Sequence, residues 1–213
     1  MKLRTLALAG LMASVAPMAM ADESVRVGMI TTLSGGGAGL GIDVRDGFML
    51  AMAQAGRDDI EVIIEDDERA PDRAVQLADR MIQADDVDIL TGIIWSNLAM
   101  AVVPSATAQG LFYLSPNAGP SQLAGAGCNE NYFNVAWQND NLHEAAGAYA
   151  NTAGYENSFI LAPNYPAGRD ALAGYQRFFE GSVTDEVYTQ LGQSDYAAEI
   201  SQIRNSGADS VFF

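Results

Sequence analysis

The fold is decided by the stretch VRVGMITTLSGGGAGLGIDVRDGFMLAMAQA, residues 25–55. Its first seven residues, Val25 to Thr31, alternate and are rich in β-branched side chains, which predicts a strand. A Gly-rich loop at 34–41 follows, and residues 42–55 are predicted to be helical. A strand that leads through a loop into a helix is the repeating unit of α/β proteins.

The same strand–loop–helix unit recurs along the chain. Further strands are predicted at residues 60–65, 88–91, 111–114, 132–135, 158–162, 183–189 and 210–213. Further helices are predicted from Pro71, from a cap at Ser96 or Asn97 to about residue 109, and over 139–152, 169–179 and 196–205. This alternation predicts an α/β fold with parallel sheets covered by helices on both faces.

The pattern restarts after a loop at 118–131, which predicts two Rossmann-like lobes. We place the first, N-terminal lobe at residues 22–137 and the first part of the second at 138–213. The chain stops inside a predicted buried strand. We therefore expect it to be the N-terminal portion of a longer protein whose second lobe is incomplete here.

Residues 1–21 have the features of a cleavable signal peptide. Lys2 and Arg4 precede an apolar run, and Ala19-Met20-Ala21 has the small residues at the spacing that a signal peptidase recognises. The run is too short to span a bilayer. We expect an exported, periplasmic protein.

Composition excludes several classes of site. The formal net charge is −16, which repels nucleic acid. No lysine occurs after Lys2, so a phosphate-loop lysine or a lysine nucleophile is excluded. The single His143 and the single Cys128 exclude a His/Cys metal cluster, and a helical setting favours an ordinary role for His143. We expect no enzyme activity, no metal and no cofactor.

Right-handed crossovers place the loops that follow the strands at one edge of the sheet, where ligands bind in such folds. In the first lobe these are the loops at 32–41, 65–70, 92–97 and 115–121. The glycines of the first loop do not fit the dinucleotide motif, so we interpret it as backbone that passes close to a ligand. The acidic run at 65–68 lacks the spacing of a calcium loop, which favours a solvated turn.

Two loops are better candidates for binding. Trp95-Ser96-Asn97 lies where a strand meets a helix N-terminus, and the free backbone N–H groups there suit a carboxylate. Trp95 is compatible with covering an apolar ligand and equally with a place in the core. The second loop, at 115–121, gathers small polar residues, for which simple turn chemistry is the alternative explanation.

Four segments together resemble the solute-binding proteins of ABC importers, of the leucine/isoleucine/valine-binding type. They are the exported start, VRVGMITTLSG at 25–35, EDDERAPDRAVQLADRMI at 65–82 and LFYLSPNAGPSQL at 111–123. The resemblance covers residues 24–213. It implies two lobes joined by a hinge that close around a small solute, and an ABC permease in the membrane as the partner.

The resemblance also implies the site. On the first lobe it points to seven positions: Ser34, Trp95, Ser96, Asn97, Asn117, Ala118 and Gly119. The Ser96 and Gly119 positions help to hold a ligand carboxylate in the family, and Tyr165 faces the cleft from the second lobe. The implied solute is a branched-chain amino acid. The WQND and NYPAG segments, at 137–140 and 164–168, are similar to a subgroup for aromatic or other organic acids, and a receptor's ligand-sensing domain is a further alternative.

Overall fold

The computed structural model describes residues 24–213. The predicted signal peptide, residues 1–21, lies outside the described residues, and the predicted lobe boundary at 137/138 stays a prediction. Within residues 24–213 there is no helix whose length and apolarity would let it span a membrane.

Strands and helices alternate throughout. The elements are β1 (Val25–Thr31), α1 (Ala38–Ala55), β2 (Ile60–Asp66), α2 (Pro71–Gln83), β3 (Ile89–Thr91), α3 (Ser96–Ala108), β4 (Phe112–Ser115), α4 (Ser121–Ala124), β5 (Tyr132–Asn134), α5 (Asn139–Ala153), β6 (Asn157–Pro163), α6 (Pro166–Phe178), β7 (Ser182–Thr189), α7 (Ala197–Asn205) and β8 (Ser210–Phe212).

Two parallel sheets confirm the predicted α/β class. The first has the strand order β2-β1-β3-β4-β5, so that β1 lies between β2 and β3. The second has the order β7-β6-β8. Met29 and Ile30 of β1 and Phe159 and Ile160 of β6 are fully buried, as expected for strands covered on both faces.

Helix α2 forms as its sequence predicts. Pro71 occupies the first turn, where its missing N–H costs no hydrogen bond. Ala74, Leu77, Ala78 and Met81 recur at helical spacing and are all buried in the core of the first lobe. In the second lobe, α5 and α6 cover the sheet, and Leu172, Tyr175 and Phe179 of the α6 segment form its core with Ile160.

Two helix starts differ from the prediction by more than one residue, and one short helix was not predicted. Helix α1 begins at Ala38, within the Gly-rich segment, because Gly37 adopts a left-handed conformation (φ 91°) that turns the chain into the helix. Helix α6 begins at Pro166 rather than at residue 169, because proline suits a first helical position. The short helix α4 lies in the segment 118–131, which was predicted to be a loop.

Candidate functional site

The loops that follow β1, β2, β3 and β4 lie side by side at the carboxyl edge of the first sheet. Helix α6, from the second lobe, approaches them one turn from its start, where Asp170 accepts a hydrogen bond from the Ser121 backbone amide of α4 (3.0 Å). We call the space between these loops and the start of α6 the cleft. A depression of about 750 Å³, lined by residues such as Arg26 and Glu61, lies at the opposite, amino edge of the sheet.

Two carboxylates of the acidic run organise the loops instead of facing solvent. Asp66 Oδ1 accepts the amide of Leu33 (2.8 Å), and Asp67 Oδ1 accepts the Thr32 hydroxyl (2.6 Å). Asp67 is fully buried, so the prediction of a solvated turn is wrong for it. The two side chains join the loop after β2 to the loop after β1. No group of three or more His, Cys, Asp or Glu suited to a metal ion occurs within residues 24–213.

The pKa values of these two carboxylates are shifted in opposite directions. Burial raises the pKa of Asp67 above its ordinary value, although hydrogen bonds from Thr32 and the Arg69 amide oppose the shift. Burial also acts against ionisation of Asp66, but hydrogen bonds from Ser34 and from the Leu33 and Glu68 amides outweigh it and leave the Asp66 pKa lowered. Asp66 is thus the carboxylate that the loops stabilise as an anion.

Trp95 is held from several sides. Its indole Nε1 donates to the Thr32 hydroxyl (3.1 Å), and the Arg69 guanidinium lies over its ring, 4.1 Å from the ring centroid. A Cβ at Gly37 would be 2.3 Å from the ring, so the Gly-rich loop lies directly on the indole. The close backbone approach expected for this loop is therefore an approach to Trp95. Trp95 also packs against the core, which the sequence had left open.

A polar network joins the two lobes beside Ser96. The side-chain Nδ2 of Asn139, the first residue of α5, donates to Ser96 Oγ and to Asp170 Oδ2, both at 3.1 Å. Asp170 also accepts the Ser121 hydroxyl (2.6 Å) and Gln122 Nε2 (3.2 Å). Asp170 and Asn139 are buried, so their polar atoms depend on one another. Ser96 was predicted as a possible helix cap, but it makes no capping hydrogen bond, and the cap residue is Trp95.

Residues 24–213 match the sequence profile of a family described as periplasmic binding protein. The chain belongs to this family.

Individual periplasmic binding proteins show the same likeness. A Leu/Ile/Val-binding protein of Rhizobium johnstonii is 23% identical over 223 residues, covering 100% of this chain and 60% of the relative. A solute binding protein of an ABC transporter from R. palustris, solved in complex with benzoate, has a TM-score of 0.82 at 28% identity, covering 89% of this chain and 55% of that one.

A leucine binding protein from Thermotoga maritima matches in fold, with a TM-score of 0.78 at 18% identity, and covers 88% of this chain and 55% of that one. The chain therefore spans about half the length of the solved proteins that it matches. Both matches have the fold expected for periplasmic binding proteins, so the predicted resemblance is confirmed.

The predicted site residues occupy different settings. Trp95, Ser96 and Asn97 lie together at the start of α3, and Asn117 joins them because its Nδ2 donates to the Ile94 carbonyl (3.0 Å). The Asn97 Oδ1 atom is buried without a hydrogen-bond partner in the described part of the chain. Ser34 is exposed and lies one loop away, beside Asp66.

Ala118 and Gly119 contribute backbone rather than side chains. The Ala118 carbonyl accepts a hydrogen bond from the Ser115 hydroxyl, and the Gly119 carbonyl accepts one from the backbone N–H of Asn139 (2.8 Å). A Cβ at Gly119 would be 1.9 Å from the Trp137 carbonyl oxygen, so no larger residue fits there. Gly119 also lines a pocket of about 220 Å³ with Tyr132 and Trp137, where the chain passes between the lobes.

Tyr165 immediately precedes α6 in the second lobe, and its place in the cleft stays a prediction. Burial raises the pKa of its phenol, and the positive charge of Arg69 acts in the opposite direction. His143 lies instead on α5 with its ring edge-on to Phe212 (5.6 Å between centroids), and burial lowers its pKa. The setting of His143 is that of a packed helix residue, as its sequence context indicates.

Several residues of these networks were not predicted as site residues, among them Thr32, Asp67, Arg69, Asn139 and Asp170. Asp67 and Arg69 belong to the EDDERA segment at 65–70. Its position after a strand predicted that this loop lies at the edge of the sheet, but it did not predict which groups its side chains contact. Asn139 is the first residue of α5, where polar residues are common, and Asp170 lies one turn into α6; neither position carries a distinctive signal.

Proposed function

We propose that this chain supplies the cleft of a periplasmic solute-binding subunit of an ABC importer. It captures a small carboxylate-bearing solute between its lobes and presents it to a membrane permease. The observation that carries the proposal is the meeting of the two carboxyl edges: the start of α3 and the start of α6 come from different sheets and converge at the Ser96–Asn139–Asp170 network.

The chemistry of the first lobe suits a carboxylate. The first N–H groups of α3 have no partner within the helix, and they carry the positive end of its dipole. Asn97 and Asn117 add amide groups at the same place, and Ser96 adds a hydroxyl whose oxygen already accepts from Asn139. We place the solute among Ser34, Trp95, Ser96, Asn97, Asn117, Ala118, Gly119 and Tyr165.

The function is binding and needs no covalent step or cofactor. A solute that contacts both lobes favours the closed arrangement by its extra affinity for that arrangement. The buried polar network lies at the contact between the lobes, so it is placed to keep them in register while they move. A permease that recognises the closed form completes the transport cycle.

The comparisons support the carboxylate but not one solute. The R. palustris neighbour is bound to benzoate, and the R. johnstonii relative is named for leucine, isoleucine and valine. These ligands share a carboxylate group next to an apolar body. An amino acid also needs a partner for its ammonium group, whereas an organic acid does not.

The test is a thermal-shift screen of the intact mature protein. The panel holds branched-chain amino acids, benzoates and short aliphatic acids, each beside its neutral amide. A solute at about 100 times its dissociation constant stabilises the folded state by roughly 2.7 kcal/mol, which gives a clear shift. A shift with acids but not with their amides supports the proposal, and a protein that responds to no carboxylate contradicts it.

A further inference from the structure

Arg69 is presented to the cleft by an unusual backbone. Glu68 and Arg69 both have positive φ, 52° and 60°, although neither is glycine. Their amides donate to the Asp66 and Asp67 carboxylates at 2.9 Å and 2.8 Å, and these bonds hold the turn. A strained backbone of this kind persists only where surrounding interactions stabilise it, and here the hydrogen bonds to the Asp66 and Asp67 carboxylates do so.

The Arg69 guanidinium is a half-buried cation without an anion. In the described part of the chain no carboxylate lies within ion-pair distance of it. Most other arginines of this acidic chain have such a partner: Arg26, Arg45, Arg57, Arg73, Arg80 and Arg177. Asp67 accepts a hydrogen bond from the backbone N–H of Arg69 but does not contact its guanidinium, so the side-chain charge of Arg69 is not paired with Asp67.

The guanidinium is fixed in place by what surrounds it. Its Cζ lies over the Trp95 ring, and a Cβ at Gly36 would be 3.3 Å from Nη1, so the Gly-rich loop passes close beside it. The charge also acts on the phenol of Tyr165 in the second lobe. The contacts with Trp95 and Gly36 place Arg69 on the first-lobe wall of the cleft.

We propose that Arg69 receives the carboxylate of the solute and makes this protein selective for organic anions, with an aromatic monocarboxylate such as benzoate as the class that fits best. This inference rests on the proposed function. A guanidinium presents parallel N–H donors that match the two oxygens of a carboxylate. Stacking on Trp95 pre-organises the donors, so that little side-chain freedom is lost when the anion binds.

The surroundings of Arg69 favour an anion over a zwitterion. An ammonium group needs an accessible carboxylate, but Asp67 is fully buried and Asp66 accepts the amides of Leu33 and Glu68. Asp170 already accepts from Ser121, Gln122 and Asn139. These carboxylates already accept hydrogen bonds from neutral donors, whereas the Arg69 guanidinium has no carboxylate within ion-pair distance in the described part of the chain. Tyr165, which immediately precedes α6, is the aromatic side chain that we assign to an apolar ring of the solute.

The experiment measures the affinities of the intact protein for benzoate and for its neutral isostere benzamide, by calorimetry, in wild type and in Arg69→Gln. We expect benzoate to bind at least tenfold more tightly than benzamide in wild type, and this ratio to fall towards one in Arg69→Gln. Arg204→Gln is the matched control, since Arg204 is exposed on α7 and makes no ion pair within residues 24–213.

The ratio separates recognition from structure, because a purely structural role of Arg69 would weaken both ligands equally. Arg69→Met, which keeps an apolar stem over Trp95, repeats the test if the glutamine variant folds poorly. An unchanged ratio in both variants overturns the inference and leaves the proposed function intact. Binding of leucine without benzoate has the same meaning. If none of the carboxylates of the thermal-shift panel binds to wild type, the proposed function fails and this inference fails with it.

Discussion

The Ser121 hydroxyl of α4 donates to Asp170 Oδ1 of α6 at 2.6 Å, across 49 residues of sequence and from one lobe to the other. Asp170 is buried and has no arginine partner in the described structure, so its charge is stabilised by the neutral donors of Ser121, Gln122 and Asn139 alone. This carboxylate therefore links α4 to both α5 and α6.

Replacing Asp170 by Asn should destabilise the protein by about 2 kcal/mol or more. A hydrogen bond to a charged acceptor is stronger than one to a neutral acceptor, and the NH2 group of Asn cannot accept the hydrogen bonds that one carboxylate oxygen of Asp170 accepts. Urea unfolding of the intact protein measures the effect. Asp185→Asn, at an exposed position on β7, is the control and should change little. Equal stabilities for the two variants would remove Asp170 from this role.

The contact between Gly37 and Trp95 predicts a difference between two glycines of one loop. Gly35 and Gly37 both have positive φ, 68° and 91°, so alanine is strained at either position by about 1 kcal/mol. Only at Gly37 would the new Cβ collide with Trp95, since Gly35 has open space around it. Gly37→Ala should therefore lower the melting temperature and weaken solute binding more than Gly35→Ala. Equal losses would show that the indole can move aside.

Burial of Asp67 predicts a pH dependence of stability. Because the pKa of Asp67 is raised in the folded state, the folded protein binds a proton more readily than the unfolded chain does. The ionised carboxylate lowers the free energy of unfolding, and this destabilisation disappears as the pH falls through the raised pKa towards 3.8. Wild type should thus gain free energy of unfolding relative to Asp67→Asn in that window. Urea unfolding at several pH values from 7 down to 4 measures the difference.

Asp59 is the control for this titration. Its carboxylate pairs with Arg57, and the hydrogen bond from Arg57 lowers its pKa. Stability from Asp59 is therefore present well above pH 3.8 and is lost progressively as the pH falls through the lowered pKa, the opposite sign to Asp67. The difference between wild type and Asp59→Asn should stay flat or fall, and should not rise, from pH 7 to pH 4. A flat difference for Asp67→Asn as well would contradict the predicted role of burial.

Removal of the Ser96 hydroxyl should weaken solute binding by about 1 kcal/mol or more, the scale of a hydrogen bond to a charged group. The variant Ser96→Ala also leaves Asn139 without one of its two acceptors, which loosens the network between the lobes. Calorimetry with the solute found by the thermal-shift screen measures the loss. Ser105→Ala, exposed near the other end of α3, is the control. An unchanged affinity would exclude Ser96 from the site.

The amino-acid sequence by itself determined the alternation of strands and helices and the edge at which the loops collect. Those features follow from local patterns: the alternating, β-branched segment from Val25 to Thr31 specifies a strand, and the spacing of Ala74, Leu77 and Met81 specifies one buried helix face. The handedness of the crossovers then places the loops without further information. The position of Trp95 at the start of a helix followed from the same pattern.

Only the tertiary structure decided which polar side chains meet in those loops. Arg69 over Trp95 and Asp170 against Ser121 join residues that are distant in sequence, and nothing local distinguishes them from solvated surface charges. The earlier start of α1 has the same cause, because Gly37 begins the helix where the loop must lie against the indole. A local pattern records which face of an element is buried. Which donor finds which acceptor is settled only when the packed elements bring them within hydrogen-bond distance.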